Sequence, residues 1–304
     1  MKAFQRVYIE ISNICNLQCT FCPEVEREKF VMKTQDFEKV LKEVAPYTSE
    51  ICLHLMGEPL THPQFKEILR LCREHNMPIQ LTTNGTLLSQ YGFDTFFKST
   101  IRQINFSLHS FKDNFPTRDW KPYLHDILAF SKAALTEKPE LYINYRLWNL
   151  PTPTETQSAN QDMIDEICGY FQVAINERLD VAHRRSKNIT GRVYFHFDTR
   201  FDWPSLSSPV ISEKGFCHAL SQHIGIHANG VVVACCLDKE AGNNLGNVFE
   251  QSFESILASE GLLKLQKGFQ TGELLSPLCQ RCSFIKRFKK APLSESHPSA
   301  PIEK

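Results

Sequence analysis

Two periods of hydrophobicity take turns along the chain. Residues 7–11 (VYIEI) have the composition of a strand, and residues 34–44 (TQDFEKVLKEV) then repeat apolar side chains at helical spacing, with Thr34 placed as the N-cap. The pair recurs. A strand over 50–56 turns at 57–63 (GEPLTHP) into an amphipathic helix over 64–75, and a strand over 78–83 turns at Asn84-Gly85 into a helix over 86–97. A fourth strand over 101–108 is followed by a loop to Lys121 and a helix over 123–135; a fifth spans 141–148. Residues 149–160, rich in Pro, Thr and Ser, read as a loop, residues 161–171 as a helix and residues 193–197 as a sixth strand. Strands alternating with helices at this spacing predict an α/β fold with a parallel sheet, and six such units fit an open partial barrel.

The pattern breaks after about residue 201. Residues 225–234 (GIHANGVVVA) place Asn-Gly between two apolar runs, a strong hairpin signal. Helical runs are expected over 253–258 and 262–267, and the Ser- and Pro-rich tail from residue 291 is expected to be disordered. The division is therefore a core over 1–200, a smaller module over 201–290 and a tail over 291–304.

Charge changes this picture little. With 34 Lys plus Arg against 34 Asp plus Glu, no global field draws the chain to nucleic acid or an anionic membrane. The run at 286–290 (KRFKK) borders the tail and reads as solvated. No apolar stretch reaches the ~18 residues of a membrane span, and the N-terminus lacks the apolar run of a secretion signal, so a cytoplasmic location is expected.

The cysteines change it most. Of eleven, eight fall in tight sets near the two ends, an odd total in a chain too long to need disulfide staples. Cys15, Cys19 and Cys22 follow the first strand in the spacing C-x3-C-x2-C, a bend that turns three thiolates inward and suits an iron–sulfur cluster with one iron left open. Cys217 and Cys235 flank the hairpin, and Cys279 and Cys282 form a C-x2-C pair; four thiolates at this spacing also admit structural zinc. Cys236 adjoins Cys235, and neighbours on a strand face opposite ways, so Cys236 is read as packing. Cys52, Cys72 and Cys168 read as small buried hydrophobes.

With Phe21 inside the first set, the motif C-x3-C-x-aromatic-C resembles that of the radical S-adenosylmethionine (SAM) superfamily, and later motifs recur in order. The resemblance implies a partial (β/α)6 TIM-like barrel. It implies a [4Fe–4S] cluster on Cys15, Cys19 and Cys22, whose fourth iron is chelated by SAM, with Phe21 near the adenine. Gly57-Glu58-Pro59 is similar to the family's GGE motif, in which the Glu holds the methionyl ammonium, although Met56 stands where the first Gly usually sits. Thr83, Asn84 and Ser107, at strand ends, resemble residues that touch SAM, and Arg146 is a candidate partner for its carboxylate. The C-terminal cysteines look like the Twitch module, the short form of the SPASM domain, implying a second [4Fe–4S] cluster on Cys217, Cys235, Cys279 and Cys282.

A radical SAM oxidoreductase is the expected function: hydrogen abstraction from a peptide side chain or a small alcohol or amine, with the second cluster accepting an electron and a flavodoxin- or ferredoxin-type donor supplying one. His109 and Asp113, just past the fourth strand, are the candidates for proton transfer. Redox-neutral radical chemistry, RNA modification and a non-catalytic electron carrier are the alternatives.

Overall fold

The computed structural model describes residues 3–150, 160–174, 185–200 and 202–288. Six parallel strands lie in chain order: β1 (Arg6–Ile9), β2 (Ile51–Cys52), β3 (Ile79–Thr83), β4 (Ile101–Ser107), β5 (Tyr142–Leu150) and β7 (Val193–Thr199). β6 (Ser186–Thr190) pairs antiparallel with β7 at one edge and had no counterpart in the sequence reading. The C-terminal module does not stand apart from this sheet. β8 (His223–Ile226) joins β1 in parallel, and β9 (Val231–Val233) and β10 (Asn244–Asn247) continue outward as an antiparallel meander, giving one sheet ordered β10-β9-β8-β1-β2-β3-β4-β5-β7-β6. This is an α/β fold with a mostly parallel sheet, the partial barrel expected. Asn229-Gly230 makes the predicted hairpin turn, with Gly230 at φ +86°.

Helices cover one face of the sheet. They include α1 (Thr34–Val44), α2 (Phe65–Glu74), α3 (Phe93–Phe97), α4 (His109–Asn114), α5 (Lys121–Glu137) and α6 (Gln161–Phe171). The period of two explains why. Val7, Ile51, Ile79, Leu81, Ile104, Phe106, Ile143, Tyr145, Val193 and Phe195 are buried on the helix side, while the alternate positions Tyr8, Thr82, Asn105, Asn144, Arg146 and His196 are polar and form rows in register on the other. A parallel sheet buried on both faces reads as continuous apolar runs. This one alternates, so its second face is built for polar contents.

Local expectations are corrected at four places. Thr34 is the first helical residue of α1 and is buried, while Lys33 takes the N-cap position without a side-chain cap; the segment before it is tied to the residues just after β1 by Met32 N donating to Ile11 O at 2.9 Å. The second strand ends at Cys52, because Met56 N donates to the Glu10 carboxylate at 3.0 Å instead of to a strand neighbour. The helix over 86–97 divides into a 3-10 turn at Leu88–Gln90 and α3, since Thr86 N and Oγ1 both donate to Asn84 Oδ1 and hold the turn closed. The loop expected before Lys121 contains α4. The loop at 149–160 keeps β5 to Leu150, its residues 151–159 lying outside the described residues, as does the tail from 291. Among the described residues no helix is long and apolar enough to cross a membrane.

Candidate functional site

Cys15, Cys19 and Cys22 lie on the loop after β1, where side chains from distant parts of the chain hold the backbone. Asp113, on α4, accepts from Thr20 N and Thr20 Oγ1, both at 2.6 Å, and Asn114 Oδ1 accepts from Gln18 N at 2.8 Å. Asn114 Nδ2 reaches Cys19 Sγ at 3.0 Å. Within the loop, Cys22 N donates to Cys19 O at 3.0 Å. The thiols sense one another: a hydrogen bond from the Cys22 thiol, reinforced by Asn114 and Ser110, lowers Cys19 to about 7 against opposing burial. The same bond, with burial, pushes Cys22 far above the ordinary thiol range, while burial pushes Cys15 up to about 11. Among the described residues no three Cys, His, Asp or Glu side chains converge at the spacing of a single metal ion.

The turn after β2 is pressed against this loop. Gly57 has φ +75°, and a Cβ there would lie 2.3 Å from Ser12 O, so glycine is required for the approach. Glu58 N then donates to Ile14 O at 2.9 Å, next to Cys15. The Glu58 side chain is buried and accepts three hydrogen bonds, from Leu60 N (3.0 Å), Thr83 Oγ1 (2.7 Å) and Asn84 N (2.7 Å). No cation among the described residues offsets its charge, and burial outweighs the three donors to raise it to about 7. Asn84 Nδ2 donates to Asn16 Oδ1 at 2.9 Å and lies 4.0 Å from Cys15 Sγ. Met56, the departure from the expected Gly-Gly-Glu, spends its backbone N–H on Glu10.

Phe21 packs on His109, ring centroids 4.7 Å apart, and His109 Nδ1 lies 3.0 Å from Arg146 O. Burial lowers His109 to about 4, so its imidazole is neutral at pH 7. Ser107 and Arg146 are register partners on β4 and β5. Arg146 shares no hydrogen-bond partner with Glu58: its guanidinium stacks 4.4 Å over the Trp148 ring, touches Thr82 Oγ1 at 3.4 Å, and senses Tyr8, Cys52 and Cys236.

In the C-terminal module, Cys217, Cys235 and the Cys279–Cys282 pair come from three separate places in the chain. Each is raised chiefly by burial, Cys279 to about 12, and Cys217 senses Cys282, Cys235 senses Cys217 and Cys279, and Cys279 senses Cys217 and Cys282. Ala219 N donates to Cys217 Sγ at 3.4 Å and Asn243 Nδ2 to Cys279 Sγ at 3.7 Å. Cys236 instead senses the Tyr8 hydroxyl, on the polar face of the sheet.

Glu10 was missed by the sequence reading. This fully buried carboxylate accepts from Arg27 (2.6 Å), Met56 N (3.0 Å) and Ala228 N (3.1 Å), joining the cysteine loop, the Glu58 turn and the C-terminal hairpin. Its signal was present: a carboxylate in the middle of the apolar run VYIEI. A second clip reinforces the join, with Glu240 accepting from Glu26 N (2.9 Å) and Arg27 N (3.1 Å).

Comparison with known proteins agrees with this geometry. Residues 9–151 match the family profile of the radical SAM superfamily, and residues 217–283 match that of an iron–sulfur cluster-binding domain, SPASM. A tungsten-containing aldehyde ferredoxin oxidoreductase cofactor-modifying protein of Pyrococcus furiosus is 28% identical over 144 residues, 46% of this chain and 38% of the relative, so the match spans well under half the length of that curated relative. Among solved structures, Streptococcus suis SuiB bound to precursor peptide SuiA superposes with a TM-score of 0.60 at 16% identity, over 93% of this chain and 73% of that one. BtrN in complex with AdoMet and 2-DOIA gives 0.57 at 16%, over 93% and 94%. At these identities the likeness establishes the fold. The two profiles imply a [4Fe–4S] cluster, SAM and a further iron–sulfur centre: the chain carries a radical SAM domain over residues 9–151 and a C-terminal SPASM-type iron–sulfur cluster-binding domain over residues 217–283.

Proposed function

We propose that this protein is a radical SAM oxidoreductase that takes a hydrogen atom from a peptide side chain or a small alcohol or amine held against the polar face of the sheet. The observation that carries the reading is Glu58, a buried carboxylate with three donors, no cation, and a backbone clipped to the residue before Cys15. An uncompensated buried charge is costly, and an ammonium group arriving beside the cysteine loop, as SAM offers, would relieve that cost. When bound, the cluster and SAM supply one electron and, by C–S homolysis, a 5′-deoxyadenosyl radical.

The chain's own residues would do the rest. Cys15, Cys19 and Cys22 would hold the first cluster, and Thr83 and Asn84 fix Glu58 so that its free lone pairs meet the ammonium. Phe21, packed on neutral His109, would shield the adenine side from water. Asp113, whose oxygens are engaged by Thr20, and His109, with Nδ1 against a carbonyl, serve better as positioning residues than as the proton acceptors expected. Cys217, Cys235, Cys279 and Cys282 would hold a second [4Fe–4S] cluster, the electron acceptor that a two-electron oxidation requires, and a flavodoxin or ferredoxin would supply the first electron.

The test is anaerobic reconstitution followed by incubation with SAM and a reductant. Formation of 5′-deoxyadenosine and about eight iron per chain is expected. Absence of 5′-deoxyadenosine in a fully loaded protein would refute the reading in favour of an electron carrier.

A further inference from the structure

The polar face holds a second uncompensated charge, and it is opposite in sign to Glu58. Arg146 projects from β5 over a floor of amides: Asn105 Oδ1 accepts from Gln103 (2.8 Å) and Asn144 (2.9 Å), and Asn105 Nδ2 donates to Thr82 Oγ1 at 3.1 Å. These groups satisfy one another and leave the guanidinium a single long contact, 3.4 Å, to Thr82 Oγ1. Trp148 stacks on it and fixes its plane. No carboxylate among the described residues pairs with it, whereas the neighbouring Arg6 is balanced by Glu50 at 3.4 Å. His54 lies within range of the Arg146 charge, and its Nδ1 is buried with no hydrogen-bond partner. Two unmet polar groups thus lie close to Tyr8, whose ring is 5.7 Å from that of His54 and whose hydroxyl senses Arg146, and neither shares a hydrogen-bond partner with Glu58.

We propose that Arg146 is the substrate-anchoring residue: it takes, with His54 beside it, an oxyanion of the substrate, a carboxylate or a phosphate, and not the carboxylate of SAM. A planar guanidinium held by a stacked ring presents paired N–H donors to two oxygens of one anionic group. His109 touches both Phe21 and the Arg146 carbonyl, which ties the backbone that carries Arg146 to the aromatic of the cysteine loop. This deepens the proposed function and rests on it for the word substrate; the anion site itself does not.

The test uses the full-length protein with both clusters reconstituted anaerobically, titrated calorimetrically with malonate and with phosphate. Wild-type protein is expected to bind at least one of them, malonate marking a carboxylate and phosphate a phosphorylated substrate. Saturating SAM should not displace it. R146Q should weaken the probe at least tenfold while shifting SAM affinity less than twofold, and R146K, which keeps charge and bulk, should weaken it three- to tenfold. Failure of wild type to bind either probe, displacement of the probe by SAM, or loss of SAM affinity in R146Q with probe binding intact would each overturn the proposal. If the protein binds probe but forms no 5′-deoxyadenosine, the function above fails and the anion site stands.

Discussion

The two cysteine sites differ in what surrounds equal chemistry. At the first, Cys15 and Cys22 reach solvent with their thiols partly covered, Cys19 is buried, and a buried carboxylate beside them has no counter-charge among the described residues. At the second, four thiols are partly buried and the nearby carboxylate is satisfied: Asp238 accepts from Gly242 N and Asn243 N, both at 2.7 Å. The first site is unfinished without a charged ligand, and the second closes on itself. A three-thiolate site leaves an iron open to chemistry, and a four-thiolate site gives a saturated centre whose use is electron transfer or structure.

Four substitutions sharpen that contrast. The largest effect belongs to Cys19→Ala, which removes the thiol held by Asn114; it should abolish 5′-deoxyadenosine formation and remove about four iron per chain, whereas Cys282→Ala should remove a similar amount of iron and leave SAM cleavage within about threefold. Equal loss of cleavage in both variants would erase the distinction.

Glu58→Gln comes next. Keeping shape and losing charge, it should weaken SAM by about 1.5–3 kcal/mol, ten- to a hundredfold, measured by equilibrium dialysis. A pH signature accompanies it. Because burial raises Glu58 to about 7 in the folded protein, above its value in the unfolded chain, the folded state without ligand holds the proton longer. The stability this contributes is full below about pH 4, is lost as pH rises through about 7, and amounts to an order-of-magnitude 3 kcal/mol. Denaturant titrations of ligand-free wild type should show this decline and Glu58→Gln should not. SAM affinity should rise across the same window in wild type, since the carboxylate is the form that meets an ammonium.

The smallest effect is expected for Asp113→Ala. Loss of the two Thr20 hydrogen bonds should loosen the cysteine loop by about 1–2 kcal/mol, seen as faster iron loss to a chelator with the pH profile of turnover unchanged. A shifted profile would return Asp113 to proton transfer.

Much of this was legible in the chain because it is local. The C-x3-C-x2-C loop, Gly57-Glu58, the Asn229-Gly230 hairpin and the alternation that makes one face of the sheet polar are all spacings within a dozen residues. Boundaries failed where a distant group overrode the local pattern, as when Glu10 drew Met56 out of the second strand.

The sequence by itself determined the radical SAM and SPASM domains, the cysteine spacings of both sites and the acidic residue beside the first, since ligand spacing and turn chemistry act over short stretches. Tertiary structure alone decided that the C-terminal hairpin is an edge of the core sheet, that Glu10 fastens Ala228 to the segment after the first strand, that Asn114 rather than a sequence neighbour reaches Cys19, and that Arg146 meets Thr82. Those contacts join residues 64 to 218 positions apart. Their energy depends on burial and on which charges are left without partners, and both exist once the sheet has brought the elements together.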